Sequence, residues 1–167
     1  QVQAMKHMVD SFRDYARLPP ANLVQLDLNE LVRELLVLYE ASPTPIRAVL
    51  AAALPNVKGD PTQLRQIIHN LIRNAQDATE GRADLQIDVI TRELGSQQVE
   101  LIIADSGPGF PPEIMANAFE PYVTTKPKGT GLGLPIVKKI IEEHGGKISL
   151  ANRPEGGAEI RIVLQAV

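Results

Sequence analysis

The chain is 167 residues long, 44% hydrophobic and 22% charged. That is room for one domain plus a short appendage and enough apolar material for a core, which excludes the disordered and collagen-like classes. Twenty acidic side chains against seventeen basic ones leave a net charge of -3, so no overall positive field draws nucleic acid or an anionic membrane surface. Cysteine is absent, which removes disulfide frameworks, thiolate zinc sites and cysteine nucleophiles, and three scattered histidines argue against a histidine-only metal centre.

No run approaches the roughly 18 consecutive apolar residues of a membrane helix, and the first residues lack the apolar stretch of a secretory signal. The sequence opens on Gln1 where a start methionine would stand, so it is expected to be a piece of something longer. Met5, Met8, Val9, Phe12, Tyr15 and Ala16 recur at three- and four-residue steps, the seam of an amphipathic helix that meets a partner helix. Leu18-Pro19-Pro20 stops it, because proline lacks an amide proton and restricts the residue before it. The expected division is a helical appendage over 1–19 and a globular domain over 20–167.

Within the domain, Asp27 or Asn29 can cap a helix whose apolar positions Leu28, Leu31, Val32, Leu35, Leu36 and Leu38 fit a 3.6-residue period, ended by Pro43 and Pro45. Residues 46–54 predict a strand. Asp60-Pro61 supplies a cap and a first-turn proline for a long helix over 61–79. Runs 84–92 and 99–104 have the spacing of an antiparallel hairpin. The stretch 105–130, rich in glycine and proline, predicts a long functional loop. A helix over 132–144 ends at Gly145-Gly146, and strands 147–152 and 158–165 flank a turn at 153–157. Helices interrupted by hairpin strands predict an α+β two-layer sandwich, with helices on one face of a mixed sheet. That class alone implies no function.

Three features carry chemistry. On the 61–79 helix, Gln66, Asn70, Asn74 and Asp77 line up opposite the apolar face, and asparagine is a mediocre helix former whose carbonyl is a hard oxygen ligand for Mg²⁺. Asp105-Ser106-Gly107-Pro108-Gly109 follows the apolar run 99–104, so a carboxylate able to accept from an exocyclic amine stands at a strand end, beside glycines that permit close approach. Lys126-Pro127-Lys128-Gly129-Thr130-Gly131-Leu132-Gly133 opens into a helix, whose N-terminal amides and dipole attract phosphate. It is neither a Walker loop nor a dinucleotide fingerprint.

Taken in this order, the three motifs resemble the ATP-binding domain of the Bergerat fold, shared by sensor histidine kinases, gyrase-type topoisomerases and related ATPases. Residues 71–75 resemble its N box, Asp105–Gly109 its first glycine box, Phe119-Glu120-Pro121-Tyr122 its F box and Gly129–Gly133 its second glycine box. The resemblance implies a mostly antiparallel mixed sheet with three helices on one face. It implies that Asn74 and Asn70 hold Mg²⁺ and the phosphates as catalytic and metal-binding residues, and that Asp105 receives the adenine amine of ATP. Gly107 and Gly109 would shape the base pocket. Gly129, Thr130, Gly131, Leu132 and Gly133 would meet the phosphates from a lid, with Thr125, Lys126 and Phe119 completing the nucleotide site. Asp77 stands where many sensor kinases carry Lys or Arg near phosphate, and its role stays open.

Hydrolysing members of that superfamily carry a glutamate one turn before the second asparagine, and here the position is Asn70. A carboxamide cannot serve as general base, which favours phosphoryl transfer to a supplied nucleophile. The string Met8 to Pro19 is similar to nitrogen-regulation sensor kinases, which implies that 1–19 is the end of a dimerisation and phosphotransfer helix. The phosphoacceptor histidine would then lie on a helix upstream of this chain. His7 lacks the acidic neighbour and following proline of the usual phosphoacceptor box. His69 is expected to be structural or solvent-facing, and His144 a dipole-compatible helix end. The implied partners are the chain's own dimerisation domain in a homodimer and a response-regulator receiver domain, with no nucleic acid and no direct membrane contact. The implied setting is the cytoplasmic part of a sensor kinase. The alternatives are a free-standing ATPase or anti-sigma-type serine kinase of the same fold, and a nucleotide-binding module without turnover.

Overall fold

A computed structural model describes residues 19–80, 84–95, 97–120 and 133–167. The expected helix over 1–18 lies outside the described residues. In chain order the elements are β1 (Val24–Leu26), α1 (Leu28–Val37), β2 (Ile46–Val49), β3 (Val57–Gly59), α2 (Pro61–Ala78), β4 (Ile87–Leu94), β5 (Gln98–Asp105), α3 (Pro112–Asn117), α4 (Gly133–Glu143), β6 (Lys147–Asn152) and β7 (Ala158–Gln165).

Five strands form one sheet in the order β2-β4-β5-β7-β6, parallel only between β2 and β4, while β1 and β3 pair antiparallel in a small second sheet. Alternation decides which face is covered. Ile87 and Val89 of β4, Val99, Leu101 and Ile103 of β5, and Ile160, Ile162 and Leu164 of β7 join the core with α1, α2 and α4. The α+β sandwich with three helices on one face is therefore realised. Intervening positions on the other face carry a charge ladder: Arg47 pairs with Asp88 at 3.2 Å, Arg92 with Glu100 at 2.5 Å, and Arg161 with both Glu100 and Glu159.

The capping signals act as their chemistry dictates. Asp27 caps α1 by accepting from the Glu30 amide at 3.1 Å. Asp60 caps α2 by accepting from the Thr62 and Gln63 amides, with Pro61 in the first turn. Leu64, Ile67, Ile68, Leu71 and Ile72 of α2 are all buried, and replacing such an isoleucine by alanine costs about 2–5 kcal/mol.

The structure differs from the sequence expectations in five places. Asn29 is no cap: buried at 5% exposure, its Nδ2 donates to the Ala51 carbonyl at 2.8 Å and its Oδ1 accepts from Thr91 Oγ1 at 2.7 Å. Because Ala51 also gives its amide to Thr91 Oγ1, side chains capture the backbone groups a strand would need. The strand expected over 46–54 therefore ends at Val49. The small strands β1 and β3, with three residues each, are too short for periodicity to reveal. Helix α3 sits inside the expected loop 105–130, started by Pro111 and Pro112 and burying none of its residues. Finally, His144, expected as a dipole-compatible helix end, directly follows α4 and is buried at 4% exposure.

Candidate functional site

The C-terminal end of β5 and the ends of its neighbours form one edge of the sheet, where Ile87 pairs with Asp105 and Asn152 with Ala158. Asp105 continues the core-facing alternation of Val99, Leu101 and Ile103, so its carboxylate turns towards the helical layer, and it is 6% exposed. Its Oδ1 accepts from the Gly107 amide at 2.9 Å. Burial pushes the carboxyl above its ordinary pKa, against the opposing pull of the Gly107 and Ala158 amides and of the Arg153 guanidinium.

The turn after Asp105 is pressed against the end of the asparagine-bearing helix. A methyl group at Gly107 would stand 2.7 Å from the Ala78 carbonyl oxygen and 3.0 Å from Asp105 Oδ1. Asn70 and Asn74 lie two turns and one turn before Ala78 on the same side of α2, both half-buried, while Asp77 is exposed. The helix is held there by Thr79, whose hydroxyl returns to the Ala75 carbonyl and meets Thr44 Oγ1 at 3.0 Å. His69, beside Asn70, is half-buried and hydrogen-bonds the Tyr39 hydroxyl. The strand end is extended by Gln86, whose amide donates to Ser106 Oγ at 2.8 Å.

The β6–β7 turn supplies the far wall. Gly157, at φ +96°, lies against the Asp105 main chain so closely that a side chain would overlap the Asp105 carbonyl. Asn152 hydrogen-bonds both the amide and the carbonyl of Phe110. Arg153 pairs with Asp88 at 3.7 Å and with Glu155 at 3.2 Å. None of these three stood out in the sequence, where Arg153-Pro154-Glu155-Gly156-Gly157 reads simply as a turn. The second glycine, beyond what the turn needs, was the available signal.

The arrangement is a buried strand-end carboxylate, a tight glycine turn and a carboxamide ridge on one helix. Residues 59–167 match the family described as histidine kinase-, DNA gyrase B-, and HSP90-like ATPase. The chain belongs to that family. Among its relatives, a putative sensor histidine kinase, NtrY-like, from Rickettsia felis is 40% identical over 95% of this chain and 26% of its own length. The chain thus spans about a quarter of the curated relatives it matches. The solved catalytic domain of histidine kinase ThkA superposes with a TM-score of 0.78 at 33% identity, covering 87% of this chain and 96% of that domain. The structure of ThkA in complex with the response regulator TrrA gives a TM-score of 0.83 at 28% identity, over 99% of this chain and 48% of that one.

As a histidine-kinase-type member of the ATPase family, the chain is a catalytic domain of the kind found in sensor kinases. Of the expected nucleotide residues, the structure brings Asp105 and Gly107 against the end of the helix that bears Asn70, Asn74 and Asp77. Gly109, at φ +86°, packs on Asn152. Phe119 lies under Lys138 of α4, with the ammonium 5.3 Å from the ring centroid. Gly133 is the first residue of α4, and a methyl group there would meet no atom of the described residues within 4 Å. Thr125, Lys126, Gly129, Thr130, Gly131 and Leu132 lie outside the described residues, as does His7.

Proposed function

We propose that this chain binds ATP with Mg²⁺ and, within a longer sensor kinase, offers the γ-phosphate to a histidine. The observation that carries the reading is the contact of the Gly107 turn with Ala78, which sets a base-reading carboxylate at one end of the asparagine ridge. Asp105 would accept from the adenine amine, and Gly107 and Gly109 would shape the base pocket by letting the turn pack closely against Ala78 and Asn152. Asn70 and Asn74 would face the phosphates together with Lys126, Thr130 and the amides of Gly129, Gly131 and Gly133, aided by the positive end of α4. Thr125, Leu132, Phe119 and Asp77 would complete the nucleotide site.

The donor set fits Mg²⁺ in the mode the ion prefers with nucleotides. Among the described residues no cluster of three or more His, Cys, Asp or Glu is gathered to hold a metal, whereas one or two carboxamides beside phosphate oxygens meet its ordinary coordination. When bound, the ion neutralises charge on the triphosphate. The protein's own work is to position and desolvate: Asp105 orients the base, Asn74 and Asn70 align the phosphates, and neutral Asn70 leaves water without a general base. The imidazole nitrogen of the phosphoacceptor then forms the bond to phosphorus as the bond to the ADP oxygen breaks, and Asn70 and Asn74 contribute alignment more than covalent chemistry.

In the longer protein the partners would be the chain's own dimerisation domain within a homodimer and a response-regulator receiver domain on the cytoplasmic side. Calorimetry on the 167-residue chain tests the site. Adenine nucleotide should bind, and Asn74→Ala should weaken Mg²⁺-ATP far more than metal-free ADP. Equal losses would assign Asn74 to packing, and a wild-type chain that binds no adenine nucleotide would sink the proposal.

A further inference from the structure

We propose that the β6–β7 turn governs purine selectivity, with Asn152 as the positioning residue that keeps Asp105 aligned with the six-position of the base. The inference deepens the ATP reading above and rests on it. Asn152 ends β6, and its carboxamide closes a two-way clamp on one residue of the Asp105 turn: Oδ1 accepts from the Phe110 amide at 2.8 Å and Nδ2 donates to the Phe110 carbonyl at 3.0 Å. One hydrogen bond would leave Phe110 free to pivot, whereas two, one on each of the peptide groups flanking its Cα, fix its direction. Asn152 is exposed, so water could serve the Phe110 groups equally well, and what the clamp adds is geometry.

The clamp reaches Asp105 along the main chain. Gly109 precedes Phe110 at φ +86°, and a methyl group there would stand 2.9 Å from Asn152 Oδ1, so glycine lets the clamp close. Two residues earlier, the Gly107 amide holds Asp105 Oδ1 at 2.9 Å. The opposite side of the same β6–β7 turn meets Asp105 directly, through the Gly157 backbone against its carbonyl and the Ala158 amide on its carboxylate. The Arg153 amide, donating to the Gly157 carbonyl at 2.8 Å, ties the two sides together. An ionised carboxylate accepts from a six-amino group and is repelled by a six-oxo group, so selectivity follows the direction in which its oxygens point.

The test compares ADP with IDP, which carry an amine and a carbonyl at that position, by calorimetry on wild-type chain, Asn152→Ala and Asn152→Asp. Wild type is expected to favour ADP by about tenfold or more. Asn152→Ala should weaken ADP about tenfold while leaving IDP within about twofold, and Asn152→Asp, which keeps the acceptor for the Phe110 amide, should retain an intermediate preference. Circular dichroism and urea midpoints establish that each variant is folded. Equal losses for both nucleotides, or no loss for either, overturn the inference and leave the Asp105 reading standing. Wild type that binds ADP and IDP alike overturns that reading and the inference with it. Should Asn152→Ala not fold, the Asn152→Asp chain decides: a reduced ADP preference supports the inference and an unchanged one overturns it.

Discussion

The Asp60 amide donates to His144 Nε2 at 3.0 Å, joining the cap of α2 to the end of α4. The other ring nitrogen bonds the Ile140 carbonyl at 2.8 Å, so the imidazole is neutral, with its proton on Nδ1. One buried side chain thus ties the helix bearing Asn70 and Asn74 to the helix that begins at Gly133. His144→Ala leaves the Asp60 amide unpartnered and opens a void, and is expected to lower stability by about 2–3 kcal/mol. Urea denaturation checks this, and a loss below about 0.5 kcal/mol would mean that the bond is dispensable.

Asp60 itself should make stability acid-sensitive. Burial works against its ionised form, but hydrogen bonds from the Asn22, Gln63 and Thr62 amides together hold its carboxyl below the usual range. A carboxyl depressed in the folded state contributes stability above its unfolded pKa of about 3.9, lost as pH falls through the folded value. Asp60→Ala is therefore expected to cost about 1 kcal/mol at neutral pH and progressively less in acid. Equilibrium unfolding measured from pH 7 downward should show the two curves converging, and a constant gap would contradict the assignment.

Asp105 has the opposite sign. Its folded pKa is raised by burial, so the stability linked to its protonated form is present below the unfolded pKa and lost as pH rises through the folded value. Asp105→Asn removes that penalty while leaving an oxygen for the Gly107 amide. At neutral pH the variant should be at least as stable as wild type, with its advantage shrinking in acid, yet bind ADP about tenfold or more weakly. Thermal denaturation at pH 4 and pH 7 with parallel calorimetry checks both halves. A variant less stable than wild type at pH 7 would show that the carboxylate is structurally required.

The sequence made the long-range parts of this site visible because each carries its own chemistry in a short string. Asp60-Pro61 marks the start of α2, the asparagines interrupt an otherwise strong helix, and Asp105 stands where an apolar run meets glycine. What stayed hidden depends on pairing partners far apart along the chain. Nothing local in Asn152 announces Phe110, 42 residues away. His144 likewise finds Asp60 84 residues away, and Asn29 reaches Ala51 and Thr91 only after the sheet has formed. The strand expected through residue 54 erred for the same reason, since the groups that draw Ala51 out of the ladder come from α1 and β4.

The two glycines of the β6–β7 turn provide a controlled comparison. Gly156 and Gly157 both have positive φ, +107° and +96°, but a methyl group at Gly156 meets no atom of the described residues within 4 Å while one at Gly157 would overlap the Asp105 carbonyl. Gly156→Ala is expected to lose only backbone strain, about 1–2 kcal/mol, with nucleotide affinity intact. Gly157→Ala should lose about 3 kcal/mol or more and at least tenfold in ADP affinity, because Asp105 must shift. Paired unfolding and calorimetry on the two variants decide it, and matching effects would mean that the Asp105 contact is not closely packed.

Position 70 separates the kinase reading from the ATPase one. Asn70 lies one turn before Asn74 on α2 and is half-buried, and in the proposed nucleotide complex a carboxylate there would reach water held near the phosphates. A carboxamide accepts a hydrogen bond from such a water but takes no proton, so wild type should release phosphate at close to the background rate. Asn70→Glu supplies the missing base and is expected to raise steady phosphate release from Mg²⁺-ATP by about tenfold or more, within the range that general-base catalysis contributes. The conservative Asn70→Gln, which offers no base, should leave release at background. Equal rates in all three chains would show that position 70 does not face the attacking water, and fast release by wild type would favour a free-standing ATPase over a domain that delivers its phosphoryl group to a partner histidine.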